Sequence, residues 1–520
     1  MTRTKKIHWW SEKSVWIMLF LGFSAGIPIL LIFSTLSLWL TEAGVEKSAV
    51  TYFSWAALGY SFKFVWAPLI DKIPLPILTQ LLGRRRGWLL LSQLAVIGAI
   101  IWMALIDPQV GLTAMAFAAV LLGFSSATQD VVIDAFRVES ADPRLQAMLS
   151  STYVAGYRIA MQMFAGAAAL YLADYLGSSV EHYRYEAWRT TYFFMASLML
   201  VGVVTTLLVA EPNEVSAKDY PYSTQDYLRF FLVFLFSIIV FIAVLAFRPE
   251  IPEVFVGYKQ TVLSFVYGAV SLILGVYIAF RAAKLCLKFG FVNAQMVYEG
   301  YQAPMADFMQ RYGKLAIWVL LLIGFYRISD IVMGVITNVF YIDMGYSKSQ
   351  IASVTKIFGV VVTIAGSFLG GLLALRFGVM RVLMLGAVLV AITNLVFVWL
   401  ANIGGDYTSL NLPILSTSGL AWVSLPKELT IAIIIDNLAQ GIAIAAFIAW
   451  LSSLTNVSFT ATQYAIFSSL MTLFPKLIGG YSGTLVEHIG YANFFLVASC
   501  LGLPVIILIY FLRTKLVVSK

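Results

Sequence analysis

The chain has 520 residues, of which 61% are hydrophobic and only 12% charged, and its mean hydropathy is +0.88. Soluble domains carry about 25% charged residues, so this composition excludes an ordinary globular protein and indicates a polytopic membrane protein. The formal surplus of +8 calls for no nucleic acid if the basic residues face the cytoplasm.

In chain order, residues 1–13 read as a cytoplasmic N-terminus. The apolar run Ser14 to Leu40 is too long for a signal-peptide core and has no small-residue cleavage site after it, so it is expected to stay as the first transmembrane helix. Runs of about 20 or more apolar residues then predict spans at 14–40, 48–70, 87–106, 110–138, 146–174, 190–210, 226–247, 260–284, 314–342, 348–374, 379–401, 429–454, 460–484 and 491–512. With the N-terminus inside, the outer loops hold only Lys47, Arg184, Arg189, Arg248, Lys259, Lys348 and Lys427. The inner segments hold most of the rest, among them Arg84, Arg85, Arg86, Arg281, Lys284 and Lys288, as the positive-inside rule requires. Both termini, including the tail 513–520, are therefore expected in the cytoplasm. Within the inner stretch 286–313, "APMADFMQRYGK" suits an interfacial amphipathic helix. The apolar but punctuated 402–428 reads as an outer loop or re-entrant segment. Cys286 and Cys500 offer neither a disulfide framework nor a metal-ligand spacing.

Two internal similarities suggest duplication. "GVEKSAV" (Gly44 to Val50) and "GYSKSQI" (Gly345 to Ile351) share Gly, Lys and Ser at identical spacing, each between a first and a second helix. "AMLSSTYVAGYR" (Ala147 to Arg158) and "AIFSSLMTLFPK" (Ala465 to Lys476) share Ala, both Ser and a terminal basic residue on what is then a fifth helix. They place parallel six-helix halves at 14–210 and 314–512, with two extra helices in the linker 211–313. Parallel halves with a site between them near the midplane are a facilitator arrangement. Facilitators carry a G-x-x-x-D-R-x-G-R-R loop between the second and third helices. Here Asp71-Lys72 is split from "GRRRG" (Gly83 to Gly87), and "GGLLALRFGVMR" (Gly370 to Arg381) is its degenerate counterpart.

These features, with "ATQDVVIDA", "GYR" on the fifth helix, "SFTATQYA" (Ser458 to Ala465) and the central helix pair, resemble the AmpG-type muropeptide permeases of the major facilitator superfamily. The resemblance runs from about residue 14 to 512. It implies an all-α polytopic fold of two six-helix bundles plus two extra helices, about 14 in all. It also implies proton-driven import of anhydromuropeptides (GlcNAc-anhydroMurNAc with or without its stem peptide) across a bacterial inner membrane, for cell-wall recycling and β-lactamase induction. The implied partners are that substrate, protons and lipid, with no cofactor or metal, for a monomer working by alternating access.

Ionisable groups inside spans cost roughly 3 kcal/mol each and so mark candidate sites. Arg158 lies roughly 18 Å along its helix, with Lys63 and Asp130 roughly 12–14 Å in from the same side, so these three can meet in one half of a cavity. Arg327 and Asp330 share a face in the other half. Lys356, Asp436 and Lys476 lie nearer the outer face. The basic surplus favours an anionic ligand. Gln129, Gln162, Asn338, Asn437 and Gln440 suit amide and hydroxyl recognition, and Trp39, Tyr157, Tyr326 and Trp450 suit sugar stacking. The expected substrate set is thus Lys63, Gln129, Arg158, Gln162, Arg327, Asn338, Lys356, Asp436 and Gln440, each with a structural role as the alternative.

No histidine lies deep in a span, so the proton carrier is expected to be Asp130, with Asp330 next. Asp134, Arg137 and Glu139 read as a cytoplasmic latch with Asp71 and Arg84–Arg86. Rival classes are a membrane-embedded enzyme, disfavoured by the lack of H-E-x-x-H and G-x-x-x-x-G-K-[ST], a transporter-derived receptor, and a carrier of another large anion such as acetyl-CoA.

Overall fold

The computed structural model describes residues 12–46, 53, 58–142, 144–179, 181–212, 221–247, 258–346, 350–351, 353–403, 408–416, 419–479 and 482–518. The first crossing is α1 (Lys13–Ile32) and α2 (Ser34–Glu42), interrupted at Phe33 (φ −101°, ψ −105°). α3 (Leu58–Phe62) and α4 (Ala67–Lys72) follow, then α5 (Leu78–Leu82), α6 (Arg84–Ala104) and α7 (Pro108–Glu139). Proline at the first position of α7, capped by Asp107 accepting from Gln109 N at 3.0 Å, fixes that helix start. α8 (Gln146–Arg158) runs through a π-helical stretch, Ile159–Ala168, into α9 (Ala169–Tyr175). α10 (Tyr185–Leu198) and α11 (Leu200–Leu208) close the half.

In the linker, α12 (Thr224–Ala246) and α13 (Tyr258–Lys288) pack on each other. The short α14 (Ala294–Val297) and α15 (Ala303–Tyr312) then lead into the second half. Its first crossing, α16 (Ala316–Phe325) and α17 (Ile328–Asp343), is broken like its counterpart in the first half. A π-helical Ser353–Phe358 enters α18 (Gly359–Phe377), followed by α19 (Val379–Ile403).

Next come strands β1 (Ser409–Ser416) and β2 (Gly419–Pro426), and then α20 (Lys427–Leu454), α21 (Thr460–Gly479), α22 (Ser482–Cys500) and α23 (Gly502–Val518). The strands form an antiparallel hairpin with Ser409 opposite Pro426. This corrects one expectation: 402–428 holds a hairpin rather than a loop or re-entrant segment. The segment alternates apolar and small polar residues around a Ser-Thr-Ser-Gly turn, which suits paired strands. The expected amphipathic helix in 286–313 is α15.

Among the described residues, ten helices are long and apolar enough to cross a membrane, against an expectation of about fourteen for the whole chain. The expected span 48–70 lies partly outside the described residues, and the α8–α9 rod is interrupted by Arg158 and Gln162. The matched loops at 44–50 and 345–351 also lie partly outside them. The second matched pair is described. Its two fifth helices occupy equivalent positions, α8 packing on α18 of the opposite half and α21 on α3 and α4.

Glycine permits the closest crossings. A Cβ on Gly22 would lie 2.3 Å from Tyr153 O, and one on Gly156 would lie 2.0 Å from Leu19 O, so α1 and α8 touch backbone to backbone. Across the halves, Ser151 Oγ donates to Ser367 O at 2.6 Å. Gly156→Ala should therefore lower the thermal unfolding midpoint in detergent, by the equivalent of about 1–3 kcal/mol of overpacking or more. Gly98→Ala, where a Cβ meets nothing within 4 Å, should not. Equal midpoints for both variants would contradict this crossing.

Candidate functional site

Arg158 is the last residue of α8, where the π-helical turn begins. Arg327 sits in the break between α16 and α17 (φ −101°, ψ 14°), and Asp330 lies in the first turn of α17. All three line one small cavity between the halves, about 20 Å³ in volume, with Tyr326, Thr363, Val390, Gln440, Ala443 and Ile444. Arg327 Nη2 pairs with Asp330 Oδ2 at 2.5 Å, whereas Arg158 forms no ion pair among the described residues. Two guanidiniums against one carboxylate leave the cavity wall net positive, which favours an anionic group.

Gln440 Nε2 donates to Asp436 Oδ2 at 2.7 Å, which leaves its carbonyl oxygen for the cavity. Asp436 itself is buried behind it and also accepts from Thr393 Oγ1 at 3.4 Å. Thr363 Oγ1 lies 2.7 Å from both Gly359 O and Asn437 Oδ1. The ring of Tyr326 stacks on Phe447, centroids 4.4 Å apart, and its hydroxyl donates to Leu383 O at 3.1 Å.

A second charged group lies within the N-terminal half. Asp134 pairs with Arg137 at 2.9 Å and with Lys63 at 3.6 Å. Arg137 is fully buried with its guanidinium over two rings, Tyr153 at 5.4 Å and Tyr464 of the opposite half at 5.0 Å. One turn before Asp134, Asp130 is 8% exposed, and its Oδ1 accepts no hydrogen bond among the described residues.

The end of the bundle carrying Asp71 and Glu139 is shut. Arg85, fully buried, donates to Asp71 Oδ1 at 2.8 Å and to both oxygens of Glu139 at 2.7 and 3.0 Å. Asp71 then reaches the opposite half, accepting from Ala461 N (3.3 Å), Thr462 N (2.8 Å) and Thr462 Oγ1 (2.7 Å) at the start of α21. Burial works to raise the Asp71 carboxyl, but Arg85 and Arg84 outweigh it and hold the group below its ordinary value. Glu211 accepts the backbone N–H groups of Arg85 and Arg86 at 2.7 and 3.0 Å. Burial nevertheless pushes its carboxyl above the usual range. Gly83 before this helix has φ +90°, and a Cβ there would strike the Glu211 side chain.

Several expected residues are placed differently. Arg158 joins Arg327 and Asp330 rather than Lys63 and Asp130, because the end of α8 faces the second half. Gln129 is fully buried and donates to Ser24 within its own half at 3.0 Å. Asn338 is exposed, and Gln162 is half-buried and does not line the cavity. Lys356 belongs to the π-helical stretch Ser353–Phe358, and its side chain lies outside the described residues. Of the latch set, Asp71, Arg84, Arg85 and Glu139 act together, Arg84 Nη1 donating to Asp71 O. Arg86 instead caps the end of α11, donating to Thr206 O (2.9 Å) and Leu207 O (2.7 Å). Asp134 and Arg137 pair with each other and not with the 84–86 loop. Thr363 and Thr462 were missed; for Thr462 the "SFTATQYA" string is a signal, and for Thr363 there is none.

Two helical halves enclosing a charged cavity and sealed at one end define a membrane transporter. The chain belongs to the Major Facilitator Superfamily, whose family model matches residues 18–325, more than half its length. It is 29% identical over 495 residues to putative transporter AmpG 4 of Rickettsia conorii, which covers 95% of each chain. It is 28% identical over 502 residues to the anhydromuropeptide permease of Escherichia coli K12, which covers 96% of this chain and 80% of the relative. Among solved structures, a proton:xylose symporter superposes with a TM-score of 0.55 at 12% identity, over 96% of this chain and 94% of the other. The human organic anion transporter MFSD10 gives 0.52 at 14% identity, over 95% and 98%. At such identities these structures speak to the fold alone.

Asp71→Ala should loosen the sealed end. A cysteine replacing the buried Ala461, in a background lacking Cys286 and Cys500, is expected to react with maleimide several-fold faster in the Asp71→Ala protein. Unchanged labelling would remove Asp71 from the seal.

Proposed function

We propose that the chain imports anhydromuropeptides from the periplasm into the cytoplasm by proton-driven alternating access. The observation that carries this reading is the ion-pair-free Arg158 beside the Arg327–Asp330 pair, in a cavity reached by both halves. A muropeptide stem bears carboxylates that suit this excess of positive charge, and Gln440, Thr363 and Tyr326 offer polar and aromatic partners for its amides and sugars. The name of the Escherichia coli relative, at 28% identity over nearly the whole chain, supports the substrate class. With the basic loops inside, the sealed end is the cytoplasmic one, which corresponds to a resting state facing the periplasm. Transport then requires that end to open while the outer ends of the halves close, with the site between them.

Coupling is assigned to Asp130, whose Oδ1 is without a partner. Lys63 and Arg137 adjoin it through Asp134. A proton bound at Asp130 alters the charge of this group by one, two helical turns before Arg137, whose side chain touches Tyr464 of the opposite half. Asp330 is the second candidate and is already engaged by Arg327.

The decisive experiment is uptake of labelled anhydromuropeptide into vesicles with and without an inward proton gradient. Accumulation only with the gradient supports the proposal; binding without accumulation would indicate a receptor. Arg158→Ala should weaken binding of the peptide-bearing ligand by about tenfold or more and the disaccharide alone much less, since one charge-assisted hydrogen bond contributes roughly 1.5–3 kcal/mol. Equal losses for both ligands would make Arg158 structural. Asp130→Asn, which fixes the neutral form, should abolish gradient-driven accumulation and spare exchange. An Asn variant that still concentrates substrate would move coupling to Asp330.

A further inference from the structure

The extra helix pair carries a feature that the transport cycle does not use. From residue 254 to residue 298 the chain contains no aspartate or glutamate, yet the last three turns of α13 bear Arg281, Lys284 and Lys288. Their spacing of three and four residues puts them on one helix face. All three are exposed, and the opposite face, with Ala283, Cys286 and Leu287, packs against the bundle. Arg229, at the adjoining end of α12, is exposed as well and lies over the ring of Phe291 at 5.9 Å. None of these four side chains forms an ion pair among the described residues. Asp226, on the same end of α12, is tied to Ser223 by a capping box.

Aromatic rings accompany the charges. Lys284 Nζ lies 4.9 Å from the Phe280 ring, and the Arg281 guanidinium lies 6.0 Å from Tyr277. Both rings are more than half exposed, and Phe289 is 81% exposed. Basic residues interleaved with exposed aromatics at the end of a spanning helix match the headgroup region of a bilayer.

The seat of the pair lies at this same end. The buried residues of α12 are Tyr227, Phe230 and Val233, all in its first three turns. They share a core with Val292 and Met296, and Phe230 would lie 3.2 Å from a Cβ on Gly300. Further along α12, Phe231, Leu235, Phe236, Ile239 and Ile242 face outward. Among the described residues, the pair is thus held to the bundle at one end only, where the unpaired cations gather.

We propose that Arg229, Arg281, Lys284 and Lys288 form a binding surface for the headgroups of anionic phospholipids, which pin the extra helix pair against the bundle. Each basic residue near a charged leaflet contributes a preference of roughly fivefold, so the stripe selects anionic over zwitterionic lipid several-fold. The segment it steadies reaches the sealed end, because Glu299, next to Gly300, pairs with Lys72 at 3.1 Å.

The test uses the full chain with Cys286 and Cys500 replaced by serine and a fluorophore on a cysteine at Phe289. Vesicles of phosphatidylcholine with phosphatidylglycerol carry a nitroxide on one lipid or the other, near the headgroup. Labelled phosphatidylglycerol should quench several-fold more than labelled phosphatidylcholine, and 1 M salt should erase the difference. The triple variant Arg281→Gln/Lys284→Gln/Lys288→Gln should quench equally with both lipids. A label at Val110, 90% exposed outside this region, should show no preference in either protein. Equal quenching at position 289 in the unmodified stripe, or a preference that survives salt or the triple variant, would overturn the proposal. Should the triple variant fail to fold, the salt dependence alone decides.

Discussion

The buried guanidinium of Arg85 is the constraint on which the closed structure rests. It is fully enclosed, and a charge in that position persists only with close counter-charges. Asp71 and Glu139 supply them from the second and fourth helices of the first half, which locks the start of α6 between those two helices. Gly83 and Glu211 fit around the same turn, the glycine because no Cβ can be accommodated and the glutamate because the first N–H groups of α6 need acceptors. Neutralising either carboxylate strands part of a buried charge, so this corner is specified by electrostatics more than by packing.

The cavity depends on a different device. Helices in a bilayer keep their backbone hydrogen bonds internal, and departures from regularity survive only where protein encloses them. Here the departures coincide with the charged residues: the break at Arg327, and the π-helical turns beginning after Arg158 and containing Lys356. The π-helical stretches Ile159–Ala168 and Ser353–Phe358 also touch each other across the halves. Irregular backbone thus accompanies charged groups between the halves, an arrangement known from transporters with interrupted helices.

Much of this was legible in the sequence. Apolar runs located the helices, the repeated Ser-Ser motifs marked two equivalent fifth helices, and Arg158, Arg327 and Asp330 stood out because charge inside an apolar span needs a reason. The pairing of Glu139 with the arginine loop could also be read from the chain. What escaped is tertiary. No local signal tells that Arg158 turns towards the second half, or that Gln129 turns inward to Ser24. The break at Arg327 has no proline to announce it, only Gly324 one turn earlier. The donors that Asp71 finds at residues 461 and 462 are largely backbone N–H groups, which carry no residue signature. The hairpin at 409–426 was hidden by its proline and by a length between those of a strand pair and a short helix.

The partition of bonds at the sealed end bears on how easily it opens. Among the described residues, every ion pair joins groups within one half or involves the linker, and none bridges the two halves directly. Asp71 keeps Arg85 as its companion and holds the second half through N–H and hydroxyl donors, while Arg137 keeps Asp134 and meets the second half at Tyr464. When the halves separate, the charged clusters travel whole, and no ion is left alone in a low-dielectric gap. What breaks is a small set of neutral-donor hydrogen bonds that incoming water can replace at about 1 kcal/mol each. The seal is therefore strong within each half and weak between them.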